Sequence, residues 1–224
     1  MIKYFQATRD FHDSLDITEK VALTLTLPAA LIPAQLEITN ATSCATIVLQ
    51  SGYFESYLKD VIKELIEKIN GLRKPILEIP NKVIRQHYSG GVDALSWACK
   101  LDKKHGTTSY SKDLSKKLCS LDQAAYQLAW ESFANTKSNP NSLTVSNLLS
   151  GVDISSAWDE IHKINTSKRL DSFLNSFIEK RNICAHTGKH QSPPTGVELL
   201  DYSNDFKSLA SCIDSLAYNK LISL

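Results

Sequence analysis

Arg181, Asn182 and His186 stand together near the end of a segment whose other residues keep a helical apolar rhythm. A guanidinium is a permanent cation with a planar fork of donors for an oxyanion, and an imidazole exchanges a proton near neutral pH. The two types at this spacing suit anion binding coupled to acid–base chemistry. Leu170, Phe173, Leu174, Phe177 and Ile178 have the spacing of one core-facing stripe. Continued at about 100° per residue, that stripe next reaches Arg181 and Ala185, with Asn182 and His186 along one flank. A buried cation without a partner is strongly destabilising, so Arg181 must have one, or face a crevice or a second chain. A break in an otherwise consistent pattern marks a candidate functional site.

Glu55 is the natural partner, because it lies on the flank of another long apolar stripe, beside Val48 and Ile62. A Glu55–Arg181 bridge reads equally as a structural ion pair or as a device that holds the guanidinium for chemistry. Asn182, one turn before His186, can orient the imidazole by a hydrogen bond. Cys184 and Ala185 read as packing residues. Cys184, His186 and His190 have some of the spacing of a zinc site, but Gly188 and Pro193-Pro194 place the helix end before His190. No metal and no cofactor is therefore assigned. Trp97, Trp130 and Trp158 read as core anchors in preference to platforms for stacking bases.

The elements that position these residues are all helical. A first helix within residues 1–26 carries Phe5, Phe11, Leu15 and Val21, and Pro28 and Pro33 mark the connection after it. A long helix over about 38–70 has Ile47, Phe54, Leu58, Val61, Leu65 and Ile69 as its stripe, closed by Gly71 and Pro75. Residues 71–166 read as shorter helical pieces, punctuated at Pro80, Gly90-Gly91, Gly106 and Asn139-Pro140-Asn141. The helix bearing Arg181 and His186 spans about 167–186 and stops at Thr187-Gly188. A last helix over about 196–220 carries Tyr202, Phe206, Leu209, Ile213 and Leu216 on one face. Strand-like alternation is missing throughout. The fold class is all-α: one helical bundle over 1–224 with an elaborated helical middle, and with the 38–70 and 167–186 helices antiparallel in its core.

Composition narrows the function classes. The 224 residues include 42% hydrophobic and 22% charged side chains with a net charge of +1, as in an ordinary globular protein. No global field advertises a nucleic acid or a membrane, so such contacts must come from a local patch. The first residues lack the apolar core of a signal peptide, and the apolar stretch Leu23 to Leu36 is interrupted by two prolines and too short to span a bilayer. Five cysteines, scattered and odd in number, read as reduced thiols of a cytoplasmic protein.

The run R-N-I-C-A-H over 181–186, preceded by Phe177 and followed by Thr187-Gly188, resembles the signature of the HEPN superfamily. Residues 49–60, L-Q-S-G-Y-F-E-S-Y-L-K-D, are similar to the first core helix of that superfamily, in the group found in prokaryotic conflict and toxin–antitoxin systems. The likeness covers about 38–70 and 167–220. It implies a helical bundle that forms a homodimer and cleaves RNA without a metal, with the motifs of two subunits meeting in one composite site. Arg181 would anchor the phosphate, Asn182 would be its polar neighbour, and His186 would be the acid/base, with Glu55 in support. The ribose 2′-hydroxyl would attack the adjacent phosphate. Lys189 and His190 beside the motif, and Lys103 and Lys104 in the basic stretch 100–117, are then candidate contacts to the RNA. An antitoxin or other regulatory partner is implied by the damage an unrestrained ribonuclease does to its own cell. Two other readings stay open: a non-catalytic RNA-binding or dimerisation module, and an adaptor for a nucleotidyltransferase.

Overall fold

The computed structural model describes residues 4–26, 33–121, 126–136, 139–187 and 192–224, with the backbone alone for 33–35 and 187. Among these residues there are eight α-helices and no strand: α1 Gln6–Leu25, α2 Pro33–Gly71, α3 Asn81–His105, α4 Ser109–Leu118, α5 Ser142–Gly151, α6 Ala157–Ile164, α7 Leu170–Thr187 and α8 Gly196–Ile222. Short 3-10 turns stand at Ile76–Glu78 and Trp130–Ser132. None of the described helices is long and apolar enough to cross a membrane.

Helix α2 is the axis of the bundle. Its predicted stripe, Ile47, Phe54, Leu58, Val61, Leu65 and Ile69, is wholly buried, and α1, α7 and α8 pack around it. Aromatic rings from all four helices meet at the centre. Phe206 of α8 lies 4.8 Å from Phe54 of α2 and 4.7 Å, edge to face, from Phe177 of α7, while Phe11 of α1 stacks on Tyr57 at 4.8 Å. Full burial of such a side chain contributes about 1.5–3 kcal/mol. The α7 stripe thus has one face committed to the core, which fixes where Arg181 and His186 emerge.

The N-terminus of α1 is capped from a distance. Its own N-cap residue, Phe5, has no side-chain oxygen, so the first amides need other acceptors. The buried carboxylate of Asp214 on α8 accepts from the N–H groups of Tyr4 (2.8 Å) and Phe5 (3.0 Å) and from Thr8 Oγ1 (2.7 Å). Glu64 of α2 accepts from the N–H groups of Gln6 (3.1 Å) and Ala7 (3.0 Å). Negative charge is favoured at this end of a helix, so the two carboxylates tie three helices together.

Three expectations need correction. The long helix begins at Pro33, five residues before the predicted start, because a proline fits the first helical position, where no amide partner is required. The Gly90-Gly91 pair does not break the chain: α3 runs through it unbroken. A Cβ on Gly90 would sit 1.9 Å from the Ser132 carbonyl oxygen, and one on Gly91 would sit 2.4 Å from Leu118. These glycines are packing surfaces on which the 3-10 turn Trp130–Ser132 and α4 are seated. Finally, Trp97 is no core anchor, since 55% of it is exposed, whereas Trp130 and Trp158 do pack against the core.

Candidate functional site

Helix α7 carries Arg181, Asn182 and His186 in its last two turns. Arg181 is half-buried as its place on the stripe requires, and what holds it is a pair of side-chain amides. Its Nη1 donates to Asn139 Oδ1 (3.2 Å) and to Asn182 Oδ1 (3.1 Å), and Asn139 Nδ2 donates to the same Asn182 oxygen at 2.9 Å. The three side chains close a triangle. Both acceptors on the cation are neutral, and among the described residues no carboxylate pairs with it. Its Nε is buried and without a hydrogen-bond partner in the described structure. A guanidinium fixed by amides keeps its charge for an incoming anion, which a carboxylate partner would have neutralised.

The direct Glu55–Arg181 bridge expected from the sequence is not formed within the chain. Glu55 Oε1 instead accepts from Lys59 Nζ (2.8 Å), one helical turn on, and from Thr136 Oγ1 (2.9 Å). The two groups are nevertheless close enough to interact. Partial burial pushes the Glu55 carboxyl up, but the hydrogen bonds from Lys59 and Thr136, and then the Arg181 charge, outweigh it and hold the carboxyl below its ordinary value.

Thr136 meets α2 and Asn139, three residues on in sequence, meets α7, and sequence reasoning missed both. The Asn139-Pro140-Asn141 run is legible as a turn, but nothing in it announces that Asn139 points at Arg181. The chain is anchored on both sides. Upstream it leaves the 3-10 turn seated on the α3 glycines, where Ser132 O accepts from Gln86 Nε2 at 2.8 Å. Downstream Asn141 caps α5 by accepting from Thr144 N (2.9 Å), Thr144 Oγ1 donates to Asn139 O (3.0 Å), and Ser142 N donates to Asn175 Oδ1 of α7 (3.1 Å). The region that reads as an elaboration therefore builds one wall of the site.

His186 is exposed in the last turn of α7 and has no hydrogen bond among the described residues. The expected Asn182–His186 contact is absent there, because Asn182 Oδ1 is held by Arg181 and Asn139. Five residues separate Arg181 from His186, about 140° around the helix and roughly 7.5 Å along it. Cys184 between them is buried, and burial together with its contact to Cys44 of α2 pushes its thiol up to about 12, as suits a packing residue. Lys103 and Lys104 are exposed at the C-terminal end of α3, which packs on α4, and no hydrogen bond or ion pair joins them to the Arg181 triangle among the described residues. Lys189 and His190 lie outside the described residues.

The family model described as RiboL-PSP-HEPN matches residues 24–219, which takes in the site and both helices that carry it. The chain belongs to this HEPN family. The match also spans α3 to α6, so the middle region of this HEPN protein lies within the family's extent. Neither a curated protein nor a solved structure matches the chain.

Proposed function

We propose that this HEPN protein is a metal-independent endoribonuclease that acts as a homodimer, in the setting of a toxin or an anti-phage effector held in check by a partner. The observation that carries the reading is the Arg181 guanidinium, half-buried at the end of α7 and fixed by two neutral amide oxygens. Such a cation is preorganised for phosphate oxygens and for the charge that grows on phosphorus during transfer. In the proposed reaction the 2′-oxygen bonds to phosphorus while its proton passes to one His186. The bond from phosphorus to the 5′-oxygen breaks, and a second His186 protonates the leaving oxygen. The products are a 2′,3′-cyclic phosphate and a 5′-hydroxyl.

Geometry favours two chains. One copy presents Arg181 and His186 on different sides of the helix, and a two-fold axis would supply two of each around one cleft. A surface beside the motif suits that contact. The outward face of α2 exposes Ile38, Ala41, Ala45, Leu49, Gly52 and Ser56 at helical spacing. Cys44, next to this face, touches Cys184 of α7, and Ile183 nearby is exposed as well. Small residues let two helix backbones approach closely. A non-catalytic RNA-binding module is the second reading, favoured by an exposed His186 that no side chain among the described residues orients.

Dilution separates them. For the composite site, cleavage per chain falls as protein is diluted through the dimer dissociation measured by light scattering, and His186→Ala abolishes cleavage while RNA is still bound. RNA binding with no cleavage at any concentration supports the binding module and overturns the enzyme.

A further inference from the structure

A cleft of about 510 Å³ opens between α3, the start of α4, the turn at Trp130 and Lys59 of α2. Three aromatic rings line it. Trp97 stands 55% exposed, Tyr110 meets it edge to face with ring centres 5.9 Å apart, and Trp130 lies under Lys63 at 5.3 Å. A tryptophan left this open on a helix contributes little to the fold, but it offers a flat apolar surface to a ligand.

The charges around the rings largely cancel. Lys59 is paired with Glu55, and Glu131 with Lys117 at 3.1 Å, while Lys100 and Asp93 bring opposite charges to the lining. A polyanion would gain little here, whereas a flat neutral ring would stack. The Glu131 side chain is only 8% exposed, and its Oε2 has no donor among the described residues.

Thr136 links the cleft to the proposed site. Thr136 lines its wall and donates to Glu55, and three residues on, no more than about 10 Å of chain, Asn139 holds Arg181. We infer that this cleft receives an unpaired nucleobase of the RNA whose phosphate lies at Arg181, so that the substrate is single-stranded at the nucleotides flanking the cut. The placing of the phosphate at Arg181 rests on the endoribonuclease reading; the binding of the base in the cleft does not. A base within a duplex is stacked and paired on its edge, and cannot enter.

The test uses the full chain and a fluorescently labelled single strand of 2′-O-methyl RNA, which has no 2′-hydroxyl and cannot be cut, alone or annealed to its complement. Native protein is expected to bind the single strand in preference to the duplex. Trp97→Ala should weaken that binding roughly 10- to 100-fold, the worth of one base–aromatic stack, and Trp97→Phe should retain most of it. Unchanged thermal melting of Trp97→Ala shows that the fold survives. Equal binding by native and Trp97→Ala protein, or equal binding of single strand and duplex, overturns the inference. So does a Trp97→Ala chain that binds RNA normally but changes its oligomeric mass, which would make the cleft a protein-docking surface. Native binding of the single strand, lost in Trp97→Ala, with no cleavage of ordinary RNA leaves the cleft standing and removes the enzyme. Native-level binding and cleavage by Trp97→Ala does the reverse.

Discussion

Asn139 illustrates how a single neutral side chain sets what a cation can do. It takes one hydrogen bond from Arg181 and gives another to Asn182, so both motif residues depend on it for orientation. Asn139→Ala removes one of the two acceptors on the guanidinium while leaving the charge in place. A hydrogen bond to a charged group contributes about 1.5–3 kcal/mol, and misorientation in the reacting state costs on that scale, so cleavage is expected to fall roughly tenfold or more. Steady-state assays on a fluorogenic RNA check this, with far-UV circular dichroism to confirm the fold. Native rates in Asn139→Ala would mean that the triangle has no part in the chemistry. The Arg181 and His186 positions were legible because polar side chains interrupt a clean apolar stripe. Asn139 and Thr136 were not, because side chains in a turn have no periodicity to violate, and their partners lie more than 40 residues away in sequence for the closer of the two.

At the scale of elements, most of the fold could be read from spacing. The predicted stripes of α2 and α8 are buried, with Tyr202 alone half-buried, because an apolar periodicity near 3.6 has few uses other than packing. The Gly90-Gly91 pair misled for a physical reason. Glycine weakens a helix, but it also admits a neighbouring backbone, and only the partner reveals which property matters. Gly90→Ala should drive a methyl group into the Ser132 carbonyl and destabilise the protein by about 1–3 kcal/mol, measured by urea unfolding. Unaltered stability would show that the turn at Trp130–Ser132 is not seated as described. Helix α4 depends on a second borrowed group. Its own N-cap, Thr108, makes no side-chain cap bond, and Asp102 at the end of α3 accepts from Ser111 N (2.8 Å), Tyr110 N (3.3 Å) and Thr107 Oγ1 (2.7 Å). The hydrogen bonds from Ser111, helped by those from Thr107 and Tyr110, outweigh burial and hold the Asp102 carboxyl at about 2. A depressed carboxyl stabilises the fold above its unfolded value near 4 and loses that contribution as pH falls towards 2. Native protein should therefore lose more stability than Asp102→Asn between about pH 5 and pH 2, and equal losses in acid unfolding would remove the cap from the account.

At the scale of the whole molecule, the proposed chemistry requires two chains around one cleft. Leu49 is 44% exposed at the middle of the apolar face of α2, away from the buried stripe. Leu49→Arg should leave the monomer folded, convert the dimer seen by light scattering to monomer, and reduce cleavage by at least an order of magnitude, as loss of half a composite site requires. A Leu49→Arg monomer that cuts RNA at the native rate would confine the chemistry to one chain. The most direct measurement concerns the central claim itself: the chemistry of the ends left after native protein is incubated with single-stranded RNA in excess EDTA. Cleavage is expected at the rate seen without chelator, with 2′,3′-cyclic phosphate and 5′-hydroxyl ends, and none with His186→Ala. Cleavage that stops in EDTA, or that leaves 5′-phosphate ends, would contradict it.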